Sequence, residues 1–296
     1  MNKKKALVLS GGGAKGAYQV GAVDYLLNQA KLDFDIVTGV SVGSLNASMI
    51  VQGEFQILKD LWLNIKKNSD IYTHHFGGWL FSLIGKDSLY SNEPLWKLID
   101  KYIDPKKIEN SGKELRIGVV SLYTGEYYSI NGRGEVPSPL LKKMILASTT
   151  IPIAFSPVSV TFHSREVDET MVDGGVRNIT PLKEAIDLGA EEIFIILASP
   201  PKINPGKKKY KSLIKIGIRT LDILLNEIFI NDLEIMQKKN ELVTSGADVL
   251  GKWRYISFKL VQPESLMIDT LEFNPEKIRI AMSQGFADAE KVLENH

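Results

Sequence analysis

Ser10-Gly11-Gly12-Gly13-Ala14-Lys15-Gly16 stands between two segments of different periodicity. Before it, Ala6-Leu7-Val8-Leu9 is short and apolar and reads as a buried strand. After it, Ala17 to Ala30 carries Val20, Val23, Leu26 and Leu27 at helical spacing. A strand, a glycine turn and a helix make an anion-binding arrangement, because backbone N–H groups are left free at a helix start. Two anions suit such a turn: the phosphate of a nucleotide, and the oxyanion formed when an ester is attacked.

A second unit of the same kind follows. Phe34-Asp35-Ile36-Val37 reads as a short strand that ends in Thr38-Gly39-Val40-Ser41-Val42-Gly43-Ser44. The small residues after Ser41, then Leu45, Met49 and Ile50, suit a helix packed tightly on a sheet. Two such units in succession predict an α/β fold with a parallel sheet and crossover helices.

Further along, helical periodicity covers Glu54 to Asn68, Pro94 to Ile103 and Leu140 to Ala147. Asp70 to Ser91 is apolar but broken by Gly77-Gly78 and Gly85, which suits either a flap near a pocket or a core segment of irregular backbone. Leu115–Leu122 is a strand, Thr124-Gly125 a turn, and Glu126 to Ile130 the returning arm of a hairpin. Val158 to Phe162 and Glu166 to Val172 read as strands, and Pro181 opens a helix to Leu188. Glu192 to Ala198 is the most apolar strand and is expected near the centre of the sheet. After a proline- and lysine-rich loop, Ser199 to Tyr210, come a long helix from Lys211 to about Leu242, a strand from Trp253 to Leu260 and a closing helix from Pro275 to Glu294. The loop is too short for a domain linker, so one domain over residues 1–296 is expected.

The bulk numbers narrow the function classes. The chain is 44% hydrophobic and 24% charged, ordinary for a globular protein, and its net charge of +1 gives no reason to expect nucleic acid as a partner. With no cysteine, disulfides and thiolate metal sites are excluded. Met1-Asn2-Lys3-Lys4-Lys5 resembles the charged start of a signal peptide, but the apolar run behind it is short and meets Gly11-Gly12-Gly13. No signal peptide is read, and no apolar run reaches the roughly 20 residues of a transmembrane helix. A cytoplasmic protein is expected, compatible with a peripheral position at a membrane.

Gly39-Val40-Ser41-Val42-Gly43 fits the G-x-S-x-G nucleophile elbow, in which a serine occupies a sharp strand-to-helix turn. The bland reading is a small-residue turn with a capping serine. A serine hydroxyl needs a base. His74 and His75 lie in the glycine-broken segment, His163 in a polar turn and His296 at the chain end, none in a strand-end loop. Asp173 follows a strand and precedes Gly174-Gly175, where the backbone can turn and hold the carboxylate at the sheet edge. A dry pocket would raise its pKa enough for it to act as a base. Its bland reading is a turn aspartate before glycine. Gly11, Gly12 and Gly13 can offer N–H groups to an oxyanion, and Lys15 adds charge nearby or is a solvated helix-start lysine.

Taken in order, Gly11-Gly12-Gly13-Ala14-Lys15-Gly16, Gly39-Val40-Ser41-Val42-Gly43 and Asp173-Gly174-Gly175 resemble the three signatures of the patatin-like phospholipases. Ala147-Ser148-Thr149-Thr150-Ile151-Pro152 and Asn178-Ile179-Thr180-Pro181-Leu182 are similar to further stretches of that family. The resemblance covers roughly Lys5 to Ser199, leaving residues 200–296 as a completion without a diagnostic motif. It implies a three-layer α/β/α sandwich with a mainly parallel sheet, and hydrolysis of lipid acyl esters with no metal or cofactor. It implies Ser41 as nucleophile, Asp173 as the other half of a dyad and Gly11, Gly12 and Gly13 as the oxyanion hole. Lys15, Gly16, Gly39, Gly43, Gly174 and Gly175 belong to the same motifs. The implied partner is a lipid ester, compatible with transient contact with a membrane or micelle surface; the sequence carries no signal for an oligomeric state.

Two other readings compete. Gly11-x-Gly13-x-x-Gly16 satisfies the dinucleotide pattern G-x-G-x-x-G, but that fold wants an acid at the end of the second strand, where Thr38-Gly39-Val40-Ser41 stands. Lys207-Lys208-Lys209 and Lys211 before Leu213, Ile214, Ile216, Ile218 and Leu221 resemble the start of an interfacial anchor, and hence a non-catalytic lipid-binding module. The plainer reading of that stretch is a core helix with Arg219, Asp222, Asn226 and Asn231 facing water.

Overall fold

Alternate residues of the first strand enter different cores: Leu7 and Leu9 pack on one side of the sheet, Ala6 and Val8 on the other. Phe194 and Ile196 against Ile193 and Ile195 divide in the same way. Strands buried on both faces need no polar alternation, which is why these runs are uniformly apolar. The computed structural model describes residues 3–74, 88–134, 136–162, 167–200, 213–246, 255–266 and 268–294.

In chain order the elements are β1 (Lys5–Leu9), α1 (Gly16–Asp24), β2 (Ile36–Val40), α2 (Val42–Val51), α3 (Phe55–Asn64), β3 (Thr73–His74), β4 (Tyr90–Ser91), α4 (Glu93–Tyr102) and α5 (Pro105–Asn110). There follow β5 (Glu114–Ser121), β6 (Tyr127–Asn131), α6 (Ser138–Ser148), β7 (Val158–Phe162), β8 (Val167–Asp173), α7 (Leu182–Asp187), β9 (Glu192–Ile196), α8 (Leu213–Thr244), β10 (Ser257–Val261) and α9 (Pro275–Glu294).

Among the described residues eight strands form one mixed sheet in the order β10-β9-β1-β2-β5-β8-β7, with β6 also paired to β5. β10, β9, β1, β2 and β5 run parallel, while β6 and β8 pair antiparallel with β5, and β7 pairs antiparallel with β8. Residues of α1, α2, α3, α4, α6 and α9 fill the core on one face. Leu182 and Ala185 of α7 and Met236 of α8 fill the other. The result is the α/β sandwich that the sequence predicts. β9 lies between β1 and β10, one strand from an edge, and not at the centre. Its apolar character reflects cover on both faces, which a near-edge strand receives when helices flank the whole sheet.

Helix α9 closes the first layer by backbone contact with α1. A Cβ at Gly21 would stand 1.8 Å from the Met282 carbonyl oxygen, and one at Gly285 2.0 Å from that of Tyr18. Only glycine at both positions permits this approach. The helix expected over Glu54–Asn68 ends at Asn64, where Ile65 turns extended. The short α5, not foreseen, is capped by Asp104, whose carboxylate accepts from the Lys106 (2.9 Å) and Lys107 (3.4 Å) N–H groups, with Pro105 at its start.

The feature that builds the site is a shared edge. β2 pairs with residues 114–118 of β5 and ends with Val40 opposite Gly118. β8 pairs with the same edge one residue further on, with Asp173 opposite Val119. The opposite edge there belongs to β6, which pairs Tyr128 with Val119. The end of β2 and the end of β8 therefore meet head-on along β5.

Candidate active site

Ser41 is the residue between β2 and α2, and it holds φ 55° and ψ −130°, a region non-glycine residues rarely occupy. The surrounding backbone over-determines this strain. The Ser41 N–H donates to Ser148 Oγ (2.9 Å), and the Ser148 hydroxyl donates to the Gly118 carbonyl (2.7 Å). The Ser41 carbonyl accepts from the Ser44 hydroxyl (2.6 Å) and the Ser44 N–H (2.9 Å). The Ser41 side chain makes no capping bond to α2, so the capping-serine reading does not hold. The turn is tight because Gly39 and Gly43 lack side chains: a Cβ at Gly39 would stand 2.2 Å from the Gly43 carbonyl oxygen, and one at Gly43 2.4 Å from that of Leu9.

Asp173 ends β8 and is 5% exposed. Its Oδ1 accepts from the Gly175 N–H (2.8 Å), the ordinary Asx-turn bond, and its own N–H donates to the Thr150 carbonyl (3.0 Å). Burial pushes the carboxyl up to about 7, against the hydrogen-bonding influence of the Ser41 hydroxyl and the Gly175 N–H, which favour the carboxylate. Only glycine fits directly after Asp173, since a Cβ at Gly174 would lie 2.4 Å from the Gly118 carbonyl oxygen. A Cβ at Gly175 would stand 2.9 Å from Ile179 Cδ1 and 3.0 Å from Asp173 Oδ1.

The first glycine turn lies beside Ser41. A Cβ at Gly11 would be 3.1 Å from the Ser41 Cβ, and Gly13 lines the same cavity as Ser41. The Gly11 N–H donates to the Ile179 carbonyl (2.9 Å), so of the three glycines expected to offer a free donor, Gly11 does not. Among the described residues, no hydrogen bond engages the N–H of Gly12 or Gly13. Gly16 packs against Val42 and Trp62. Lys15 Nζ donates to Ser199 Oγ (3.3 Å), tying the turn to the segment after β9. With Gly11 committed, the arrangement presents a serine hydroxyl on a strained backbone, a buried carboxylate titrating near neutrality, and two N–H groups.

The patatin-like phospholipase family model matches residues 7–186, which include all three motifs. The chain belongs to the patatin-like phospholipase family. The crystal structure of VipD from Legionella pneumophila is similar in fold, with a TM-score of 0.54 and 14% identity, covering 100% of this chain and 67% of that one. No curated protein matches the chain.

Within this patatin-like frame, an apolar cavity opens onto Ser41, walled by Met49, Leu58, Trp62, Leu95, Phe155 and Phe273 among others. His74 lies in β3 and packs edge-on against Tyr90, at 4.9 Å between ring centroids. His75, His163 and His296 lie outside the described residues, as do residues 75–87 of the expected flap, residues 201–210 of the lysine-rich loop, and Lys211. Among the described residues no cluster of three or more His, Asp or Glu side chains is placed to hold a metal, and no helix is long and apolar enough to cross a membrane. Helix α8 packs through Met236, and the Asn240 amide brackets Ile256 before β10, accepting from its N–H (3.0 Å) and donating to its carbonyl (2.8 Å). The same helix exposes Ile216, Ile223, Leu224 and Ile235. Ser148 and Ile179 are the site residues that the motifs did not reveal; both sit in stretches of the family resemblance, but nothing marks Ser148 apart from Thr149 and Thr150.

Proposed function

We propose that the chain is a serine hydrolase of lipid acyl esters acting through Ser41 and Asp173. The observation that carries this reading is the meeting of β2 and β8 on one edge of β5, which sets the elbow serine against a buried carboxylate. Asp173, as the carboxylate, accepts the Ser41 proton while Ser41 Oγ bonds to the ester carbonyl carbon. The carbonyl oxygen becomes an oxyanion held by the Gly12 and Gly13 N–H groups. Collapse expels the alcohol portion, which takes the proton from Asp173, and leaves an acyl group on Ser41. Water, deprotonated by Asp173, then attacks the acyl carbon and releases the fatty acid, and the proton returns to Ser41. The apolar cavity beside Ser41 takes the acyl chain, which favours a phospholipid or lysophospholipid over a small polar ester. Exposed Ile216, Ile223 and Leu224 on α8 support transient contact with a lipid surface.

A fluorophosphonate probe should label the wild type and not Ser41→Ala, and Ser41→Ala should release no fatty acid from a panel of phospholipids, lysophospholipids and acylglycerols. Equal labelling of both proteins overturns the assignment.

A further inference from the structure

Beneath the glycine turn lies a chain of buried polar side chains that the proposed reaction does not use. Trp62 Nε1 donates to Asn46 Oδ1 (3.1 Å). Asn46 Nδ2 donates to Gln19 Oε1 (3.0 Å) and to the Gly16 carbonyl (3.3 Å). Gln19 Nε2 donates to the Ser10 carbonyl (2.7 Å) and, more weakly, to that of Ile196 (3.4 Å). Gln19 is fully buried and Asn46 is 1% exposed. An indole N–H can only donate and a backbone carbonyl can only accept. With one such group at each end, both amides have a single satisfied orientation.

The chain ends on the peptide groups that lead to the proposed oxyanion donors. The Ser10–Gly11 peptide is clamped at both ends, its carbonyl by Gln19 and its N–H by the Ile179 carbonyl. The next peptide is held by the Ser10 side chain, whose hydroxyl donates to the Gly11 carbonyl (3.1 Å) while its oxygen accepts from the Ala198 N–H (2.9 Å). That peptide carries the Gly12 N–H. Carbonyl and N–H of a trans peptide point in opposite directions, so holding the Gly11 oxygen inward turns the Gly12 N–H the other way.

We propose that Ser10, Gln19 and Asn46 are positioning residues that preorganise the Gly12 N–H donor, with Gln19 as the centre of the clamp. The proposal rests on the reading of Ser41 as nucleophile. Fixed donors stabilise an oxyanion without reorganising as it forms, and small misplacements are costly. Substrate binding in the apolar cavity does not draw on the donor, so the loss should fall on the chemical step.

The test compares wild type, Gln19→Leu and Ser10→Ala on a soluble p-nitrophenyl acyl ester and with an acyl trifluoromethyl ketone, whose adduct with a serine carries an oxyanion. Both variants should lower kcat by about 10- to 100-fold with KM within about twofold. Affinity for the ketone should fall by the same factor as kcat, because the adduct mimics the transition state. Ser10→Ala removes a single oxygen and serves as the milder variant if Gln19→Leu unfolds. Unchanged kcat, or a kcat loss with unchanged ketone affinity, overturns the proposal. Failure of the underlying reading is distinct: it would appear as hydrolysis and fluorophosphonate labelling that survive Ser41→Ala.

Discussion

Gly11 and Ile179 join the two halves of the site: the Gly11 N–H donates to the Ile179 carbonyl, and the Ile179 side chain fills the space a Gly11 side chain would need. A Cβ at Gly11 would stand 2.5 Å from Ile179 Cδ1 and 3.1 Å from the Ser41 Cβ. The turn, the elbow and the segment after Asp173 therefore share one contact point. Gly11→Ala should keep the fold, lose about 1–3 kcal/mol of stability to overpacking, and lower kcat more than tenfold as Ser41 is displaced. Shortening the neighbour in the double variant Gly11→Ala/Ile179→Ala should restore part of the activity. Thermal unfolding and ester hydrolysis on the three proteins read this out.

Ser148 holds the strained backbone of Ser41. Its hydroxyl is both the acceptor for the Ser41 N–H and the donor to the Gly118 carbonyl. Ser148→Ala leaves both buried groups without that partner, at about 1–3 kcal/mol each. The expected outcome is a lower melting temperature together with slower labelling by a fluorophosphonate, since the elbow relaxes toward ordinary φ. A variant that melts earlier but labels at the wild-type rate would show that Ser148 stabilises the fold without shaping the elbow.

The three glycine-rich motifs were legible because each is local: a tight turn advertises itself by the residues that it excludes. The boundaries of α9, Pro275 to Glu294, were equally plain from its amphipathic period and opening proline. What joins the motifs was not legible. That β8 would share an edge of β5 with β2 depends on a pairing between distant segments, and no local pattern sets that register. The same holds for the Gly11 N–H, whose partner Ile179 lies far along the chain. Apolar content misplaced β9 because burial on both faces reports flanking helices, not distance from the sheet edge. In α5, the six residues Pro105–Asn110 give periodicity too little length to register.

In the proposed mechanism Asp173 sets the pH dependence of the reaction. As a base it must be ionised, and burial holds its carboxyl at about 7. The kcat/KM for a soluble ester should therefore rise with pH to a plateau, with its midpoint near 7. Stability runs the opposite way. The folded value lies above the ordinary 3.8, so the contribution of the protonated group is complete below about 3.8 and is lost as pH rises through about 7. The full loss is on the order of 4 kcal/mol. Asp173→Asn avoids it, and should melt higher than wild type at pH 8, by a margin that shrinks toward pH 4, while hydrolysis is abolished. A wild-type rate profile flat from pH 5 to 9 would remove Asp173 from the role of base.

The cavity wall should set acyl length. Leu95 on α4 lines the cavity together with Trp62 and Phe273, whose rings stack at 6.3 Å. Leu95→Trp fills part of this space at a partly buried position. Its expected effect is at least a tenfold fall in the ratio of kcat/KM for long-chain over short-chain esters, with labelling by a small fluorophosphonate unchanged. A uniform loss across chain lengths would mean that the acyl chain lies elsewhere.

Glu184 on α7 carries the second raised carboxyl near the site. Burial raises it, and a hydrogen bond from its own backbone N–H, the Tyr127 hydroxyl and Lys183 only partly counter this. Its Oε1 accepts from Asn178 Nδ2 at 3.3 Å, which ties it to the segment between Asp173 and Pro181. The sign follows from the raised folded pKa: the contribution of the protonated group is complete below the ordinary 4.5 and falls as pH climbs through the higher folded value. Glu184→Gln keeps an acceptor for Asn178 and removes the titration. It should raise the melting temperature at pH 8, and the difference from wild type should narrow as pH falls toward 5. The Asp173 midpoint in kcat/KM should not move, because burial, Ser41 and Gly175 set that value and Glu184 does not contribute to it. Melting curves and rate profiles across the same buffers test both halves; a shifted midpoint would make Glu184 part of the electrostatics of the base, and not only of the segment that carries it.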